Sequence, residues 1–189
     1  ALPILRLAFG FFQKLVIADR LTLIVNEVYG APEAFIGPQL LAATLLFSIQ
    51  IYCDFAGYSN IAIGAAQVMG IRVMENFRQP YFATSVTEFW QRWHISFSSW
   101  LRDYVYFPLA RRLRTARWRW LALLVTFLIS GIWHGAAWNF VIWGGLYGLY
   151  LSIEAYGKRA GHRFAAATRL AERPLLLEGL QMEIGRAHV

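Results

Sequence analysis

Two histidines, His94 and His134, are the side chains of this sequence best suited to chemistry. A neutral imidazole, with an ordinary pKa of about 6.5, can take a proton from a hydroxyl at neutral pH. His134 stands in Trp133-His134-Gly135-Ala136, within an apolar run from Trp120 to Ala137. That run reads as the best membrane span of the chain, and an ionisable group inside a span is costly enough to suggest a function. Gly135 and Ala136 would let another group approach the ring. A neutral histidine bonded to a neighbouring helix explains the same position equally well. His94 follows Trp90 by one helical turn, at the edge of an apolar face, where a histidine serving only packing is the simpler account. Together the two would supply one imidazole as base and a second to orient or polarise. Their spacing does not show that they meet.

Other chemistries have less support. Zinc needs three or four ligands at workable spacing, and only His94, His134, His162, Cys53 and scattered carboxylates are available, so no metal is expected. The single cysteine excludes an internal disulfide framework. Neither a Gly-x-Ser-x-Gly elbow, a P-loop nor a dinucleotide fingerprint occurs. Asp54 interrupts an apolar run, which fits either a transport path or a carboxylate paired with a basic side chain. Asp103 beside Arg102 reads as a solvated or interfacial pair.

The elements that must position these residues follow from composition and pattern. Charged residues are 15% of the chain against about 25% in soluble domains. With 58% hydrophobic residues, the sequence lacks the charge to build a soluble surface, and lipid supplies the alternative. The net charge of +7 is clustered: Arg111, Arg112, Arg114, Arg117 and Arg119 precede one apolar run, and Lys158, Arg159, Arg163, Arg169 and Arg173 follow another. Basic clusters beside apolar segments indicate cytoplasmic loops next to anionic lipid, not a nucleic-acid face.

Leu2 to Val25 reads as a helix packed in a bundle or lying partly in the interface, given Arg6, Lys14, Asp19 and Arg20. Gly30 to Pro38 reads as a loop. A helix from Leu40 to Gly70 would be about 45 Å long against a hydrocarbon core of about 30 Å, which predicts a kink or break near Asp54–Gly57. Ser85-Val86-Thr87-Glu88 fits a capping box. Beyond it Trp90, Trp93, Phe97, Trp100 and Tyr104 recur at helical spacing, an aromatic stripe that predicts an amphipathic interfacial helix ended by Pro108. Trp120 to Ala137 and Asn139 to Ile153 should form a hairpin with both basic ends cytoplasmic, placing His134 past the middle of the membrane. The expected organisation is a partial membrane domain over 1–157, a basic polar segment over 158–183, and a tail over 184–189. That tail, Ile184-Gly185-Arg186-Ala187-His188-Val189, matches a reading frame of a common sequencing adapter and is expected to be non-native. The chain is expected to be truncated at both ends.

Several ordered motifs resemble those of bacterial membrane-bound O-acyltransferases of the alginate acetylation type. They are Tyr52-Cys53-Asp54-Phe55-Ala56-Gly57-Tyr58-Ser59-Asn60-Ile61-Ala62-Ile63-Gly64, Asn76-Phe77 with Pro80-Tyr81, and Glu88-Phe89-Trp90-Gln91-Arg92-Trp93-His94-Ile95-Ser96 continuing through Trp100-Leu101-Arg102-Asp103-Tyr104 to Pro108-Leu109. Ser130-Gly131-Ile132-Trp133-His134-Gly135-Ala136, then Trp138 and Trp143-Gly144, completes the set, and Gln13-Lys14-Leu15-Val16-Ile17-Ala18-Asp19-Arg20 resembles the family's upstream helix. The resemblance covers roughly residues 5–154. Ala110-Arg111-Arg112-Leu113-Arg114 departs from it, since relatives carry glycines and a longer loop there.

The resemblance implies an all-α, multi-pass transmembrane helical bundle around a tunnel joining an acyl donor to an acceptor, in the bacterial inner membrane. It implies that His134 is the catalytic histidine and His94 the second functional position. No bound cofactor is expected. The implied co-substrate is an acyl thioester, either acetyl-CoA or an acyl carrier, and the acyl group, acetyl by expectation, passes toward hydroxyls of an exported polysaccharide such as alginate. The implied partners are the lipid bilayer and periplasmic or membrane-anchored acetyltransferases of a polysaccharide-export complex, with no nucleic acid. D-alanyl transfer to teichoic acid is the alternative within the family. From other classes, a transporter with Asp54, His94 and His134 along its path, or a non-catalytic scaffold, would fit the residues alone.

Overall fold

The structure, a computed structural model, describes residues 2–113, 115 and 118–167, with side chains to residue 158. The described residues are helical, with no strand among them, and they form two compact units that divide after Asn76.

The first unit is a helical hairpin. Helix α1 (Leu2–Phe11) passes through a π-helical turn (Phe12–Ala18) into α2 (Asp19–Gly30), and α3 (Gly37–Val68) returns along both. The predicted loop between them is shortened at both ends, because Gly30 closes α2, Gly37 and Pro38 open α3, and the Gln39 side chain accepts the Ile36 N–H at 3.0 Å. Two glycines let the backbones touch: a Cβ on Gly10 would lie 2.8 Å from the Gly57 carbonyl oxygen, and one on Gly57 would lie 2.9 Å from that of Gly10. Ala18, Val25, Ala43, Cys53, Ala56 and Ile63 fill the buried seam.

The predicted break near Asp54–Gly57 does not occur, and α3 runs unbroken through 32 residues. The polar and small residues that suggested a break are satisfied by the neighbouring helix instead. Lys14 is ion-paired with Asp54 and lies 3.2 Å from Asp19, while Gly57 provides the close crossing. The π turn helps place Lys14, because its wider ring shifts the side-chain register of the helix by one residue. Farther along, the Arg6 guanidinium clasps Glu75 at 2.6 and 2.5 Å and donates to Asn60, whose amide donates to buried Gln13 at 2.8 Å. Among the described residues, α3 alone is long and apolar enough to cross a membrane. Large apolar side chains, including Phe9, Leu23, Leu41 and Leu45, are exposed on the outside of this unit.

The second unit contains α4 (Val86–Arg92), α5 (Ile95–Leu101), a π-helical turn (Arg102–Tyr106), α6 (Phe107–Arg112), α7 (Arg119–His134) and α8 (Trp138–Ala167). The expected hairpin is present as α7 and α8. It is tight, because a Cβ on Gly131 would lie 2.3 Å from the Phe140 carbonyl oxygen and one on Gly144 would lie 2.3 Å from that of Phe127. Its dimensions differ from expectation. Helix α7 has 16 residues, about 24 Å, short of the hydrocarbon core, and it stops at His134 where Gly135 adopts extended backbone. His134 therefore ends a helix and does not sit within one.

Two further expectations are corrected. The single amphipathic helix with an aromatic stripe is broken at Trp93–His94, so Trp90 packs from α4 and Phe97 from α5, with Trp93 at the break between them, while Trp100 and Tyr104 are exposed. Pro108 does not end the segment. It enters the first turn of α6, directly after the π turn in which the Phe107 N–H reaches back to the Arg102 carbonyl. The wider turn accommodates a ring that would clash in a regular helix. The expected tail 184–189 and residues 168–183 lie outside the described residues, and α8 itself continues to Ala167.

Candidate active site

The site is assembled from the start of α4 onward. Ser85 caps α4 as predicted, its hydroxyl accepting the Glu88 N–H at 3.1 Å. The reciprocal half of the box is displaced by one residue: Glu88 accepts from the Thr84 N–H and hydroxyl, both at 2.7 Å. Those two donors hold the Glu88 carboxyl below the usual carboxylate range, with Arg92 adding to the effect. From α8, Glu154 accepts the Thr87 N–H at 3.0 Å and binds Lys158 at 2.6 Å, tying the first turn of α4 to α8.

Trp90 then locks α4 against the hairpin. Its ring meets Phe127 of α7 at 5.2 Å and Trp143 and Tyr147 of α8 at 5.7 and 5.1 Å, mostly edge to face. Such pairs contribute about 1 kcal/mol each beyond their burial. Trp93 turns the other way, onto Phe77, Phe89 and Tyr81.

His94 lies at the break itself. Its backbone is left-handed, φ 44° and ψ 53°, which costs a side-chain-bearing residue about 1–3 kcal/mol and persists only where the surroundings enforce it. His94 is half-buried, and burial pushes its imidazole down to about 4, with the neighbouring His134 acting in the same direction. It is therefore neutral at pH 7.

His134 and His94 belong to one aromatic cluster. The His94 ring is 5.1 Å from Phe97 and 6.4 Å from Trp133, and Phe97 stacks on Trp133 at 4.3 Å. The His134 ring lies 6.2 Å from Phe97, 5.2 Å from Trp143 and 6.1 Å from Phe140. A Cβ on Gly135 would meet the Phe140 ring at 2.7 Å, so glycine at this position lets Phe140 close on the turn. His134 is exposed, and no described side chain hydrogen-bonds its ring. The arrangement offers two imidazoles, one of them neutral and half-buried, beside the stacked rings of Phe97 and Trp133.

Thus the two histidines singled out in the sequence share a neighbourhood, which spacing alone did not show. Asp54 belongs to the first unit. It is paired there with Lys14, the structural alternative for that residue, and Arg102 and Asp103 form an exposed pair at 2.8 Å. Sequence reasoning missed Phe97 and Trp133 as the shared wall, and Glu154 as the tie to α4. The Trp133–Phe97 contact has no sequence signal, because the two rings stand on different helices far apart in sequence.

The chain is similar to known proteins. The profile of the MBOAT, membrane-bound O-acyltransferase, family matches residues 4–176. A protein named probable alginate O-acetylase from Azotobacter vinelandii is 46% identical over 77% of this chain and 29% of its own length. A peptidoglycan O-acetyltransferase of Helicobacter pylori is 36% identical over 87% of the chain and 31% of its own length. A teichoic acid D-alanyltransferase of Bacillus subtilis is 35% identical over 57% of the chain and 28% of its own length. The chain thus spans about three tenths of the length of these curated relatives. With both histidine motifs inside the matched region, the chain belongs to the membrane-bound O-acyltransferase family.

Proposed function

We propose that the protein to which this chain belongs is an O-acyltransferase that moves an acetyl group toward hydroxyls of an exported polysaccharide of the alginate class. The observation that carries this is the meeting of His94 and His134, from two separate motifs, around Phe97 and Trp133. The higher identity to the alginate O-acetylase than to the D-alanyltransferase supports acetyl over D-alanyl transfer.

In this proposal His134 acts as general base. It takes the proton of the attacking hydroxyl as the oxygen bonds to the acyl carbonyl, and the proton passes on to the departing thiol of a thioester donor, acetyl-CoA or an acyl carrier. His94, neutral at pH 7, donates or accepts a hydrogen bond that orients the reactants. Covered by further helices of the full-length protein, the aromatic wall would exclude water, which would strengthen these polar contacts in the transition state. We place the whole protein in the bacterial inner membrane as a multi-pass bundle, α3 crossing and α7–α8 forming a re-entrant or spanning hairpin with its basic ends cytoplasmic. Exposed apolar side chains throughout the described residues support burial in lipid or against further helices. Partner proteins of a polysaccharide-export complex would carry the acyl group onward.

The test uses the full-length gene with His134→Ala and His94→Ala variants at matched membrane abundance, reading ester-linked acetyl on the exported polysaccharide. Loss of acetyl with His134→Ala inserted and folded is the expected result. Unchanged acetylation would make His134 a structural residue and remove the catalytic assignment, and ester-linked D-alanine in place of acetyl would favour the teichoic acid alternative.

A further inference from the structure

Two described residues other than glycine adopt left-handed backbone, Gln79 at φ 48° and His94 at φ 44°. They are far apart in sequence but tied together through Arg92. The Arg78 N–H donates to the Arg92 carbonyl at 2.9 Å. The Arg92 guanidinium is paired with Glu88 through one nitrogen and reaches the Gln79 carbonyl through the other, a long contact at 3.5 Å. Glu88 is itself fixed by Thr84.

The break at His94 follows from where the freed carbonyls find donors. In a continuing helix the Arg92 carbonyl would serve the N–H of residue 96, and the Trp93 carbonyl that of residue 97. Here the Arg78 N–H takes the first, and the Ser98 hydroxyl takes the second at 3.1 Å. The Ser98 N–H then donates to the His94 carbonyl at 2.9 Å, which starts α5. The Arg92 and Trp93 carbonyls both keep a donor, so the chain can reverse there without the penalty of leaving them unpaired. The consequence is directional. His94 faces Phe97 and Trp133, whereas one turn beyond Trp90 on an unbroken helix it would share the Trp90 face.

We propose that Arg92 and Ser98 are positioning residues for His94, holding the left-handed turn that aims its imidazole into the cluster shared with His134. This rests on the functional reading of His94 given above. Glu88 acts through Arg92, keeping its guanidinium toward the Gln79 carbonyl, next to Arg78, whose N–H takes the Arg92 carbonyl at the break. Lysine at 92 would keep the charge but lose the planar fork that addresses two acceptors at once.

The experiment uses the full-length protein carrying Arg92→Lys or Ser98→Ala, at matched membrane abundance, with two readouts. One is the initial rate of acetyl incorporation into exported polysaccharide. The other is the rate of carbethoxylation of His94 and His134 by diethyl pyrocarbonate, followed by peptide mass spectrometry in detergent. Positioning predicts that His94 changes in reactivity severalfold while His134 stays at the wild-type rate, and that acetylation falls about ten- to a hundredfold, as a displaced reacting group would cause. If both histidines become reactive together, the residues only support the fold and the inference is overturned. Unchanged reactivity in both variants overturns it as well. A selective change at His94 with wild-type acetylation upholds the positioning and removes the functional role of His94, so the two failures are distinct. Should Arg92→Lys fail to accumulate, Ser98→Ala decides, since it removes one hydroxyl and leaves the charges in place.

Discussion

Phe97 stacks on Trp133 with ring centroids 4.3 Å apart and planes tilted by 29°, and each ring also borders both His94 and His134. The pair is the wall through which the two imidazoles share one neighbourhood.

Removing that wall should separate the histidines without erasing the helices. Phe97→Ala is expected to lower acetyl transfer by about ten- to a hundredfold in the full-length protein. Phe97→Leu, which keeps apolar volume, should lose less. Acetyl content of exported polysaccharide, normalised to membrane abundance, checks this; equal activity in the two variants would deny the aromatic wall a role.

The α7–α8 hairpin depends on backbone contact at one glycine more than at its neighbour. A methyl on Gly144 would lie 2.3 Å from the Phe127 carbonyl oxygen, whereas one on Gly145 meets nothing nearer than 3.8 Å. Gly144→Ala should therefore destabilise by about 1–3 kcal/mol or more, and Gly145→Ala should be nearly neutral. Thermal aggregation of the detergent-solubilised protein would compare them, and similar midpoints would mean that the close crossing is dispensable.

In the first unit, Lys14 pairs with Asp54 and Asp19. Lys14→Asp gathers three acidic groups and should reduce the amount of inserted protein. The exchange Lys14→Asp with Asp54→Lys should recover part of it, because an opposite charge again sits between the helices. Membrane yield by immunoblot is the measurement, and a double variant as poor as the single one would count against the pair.

The pH dependence of stability follows from His94. Its folded imidazole is held down to about 4, mainly by burial, while in the unfolded chain it titrates near about 6.5. Between these values the unfolded state binds the extra proton, so stability should fall as pH drops through that window and level off below it. Thermal unfolding of the full-length protein at about pH 7, 5.5 and 4.5, with His94→Gln as comparison, checks this. An equally steep loss in the variant would assign the effect to other groups.

Much of this protein is determined by its sequence alone. A charge-poor, apolar chain with helical periodicity points to a helical membrane protein, because lipid offers no partner for exposed backbone, and the described residues are helical. Local signals placed the Gly30–Pro38 loop, the Ser85 cap and the α7–α8 hairpin, since caps, prolines and apolar periodicity act over a few residues. The motifs around His94 and His134 were legible for the same reason. Only tertiary structure decided that α3 stays whole past Asp54, because the compensating cation, Lys14, comes from another helix. It also decided that the aromatic stripe breaks at His94. Periodicity predicted one helix there, but the Arg78 N–H and the Ser98 hydroxyl satisfy carbonyls that a continuing helix would have used. Those donors lie outside any local pattern, so the direction of His94, and its meeting with His134 at Phe97, is set by hydrogen bonds and packing formed only when the chain folds.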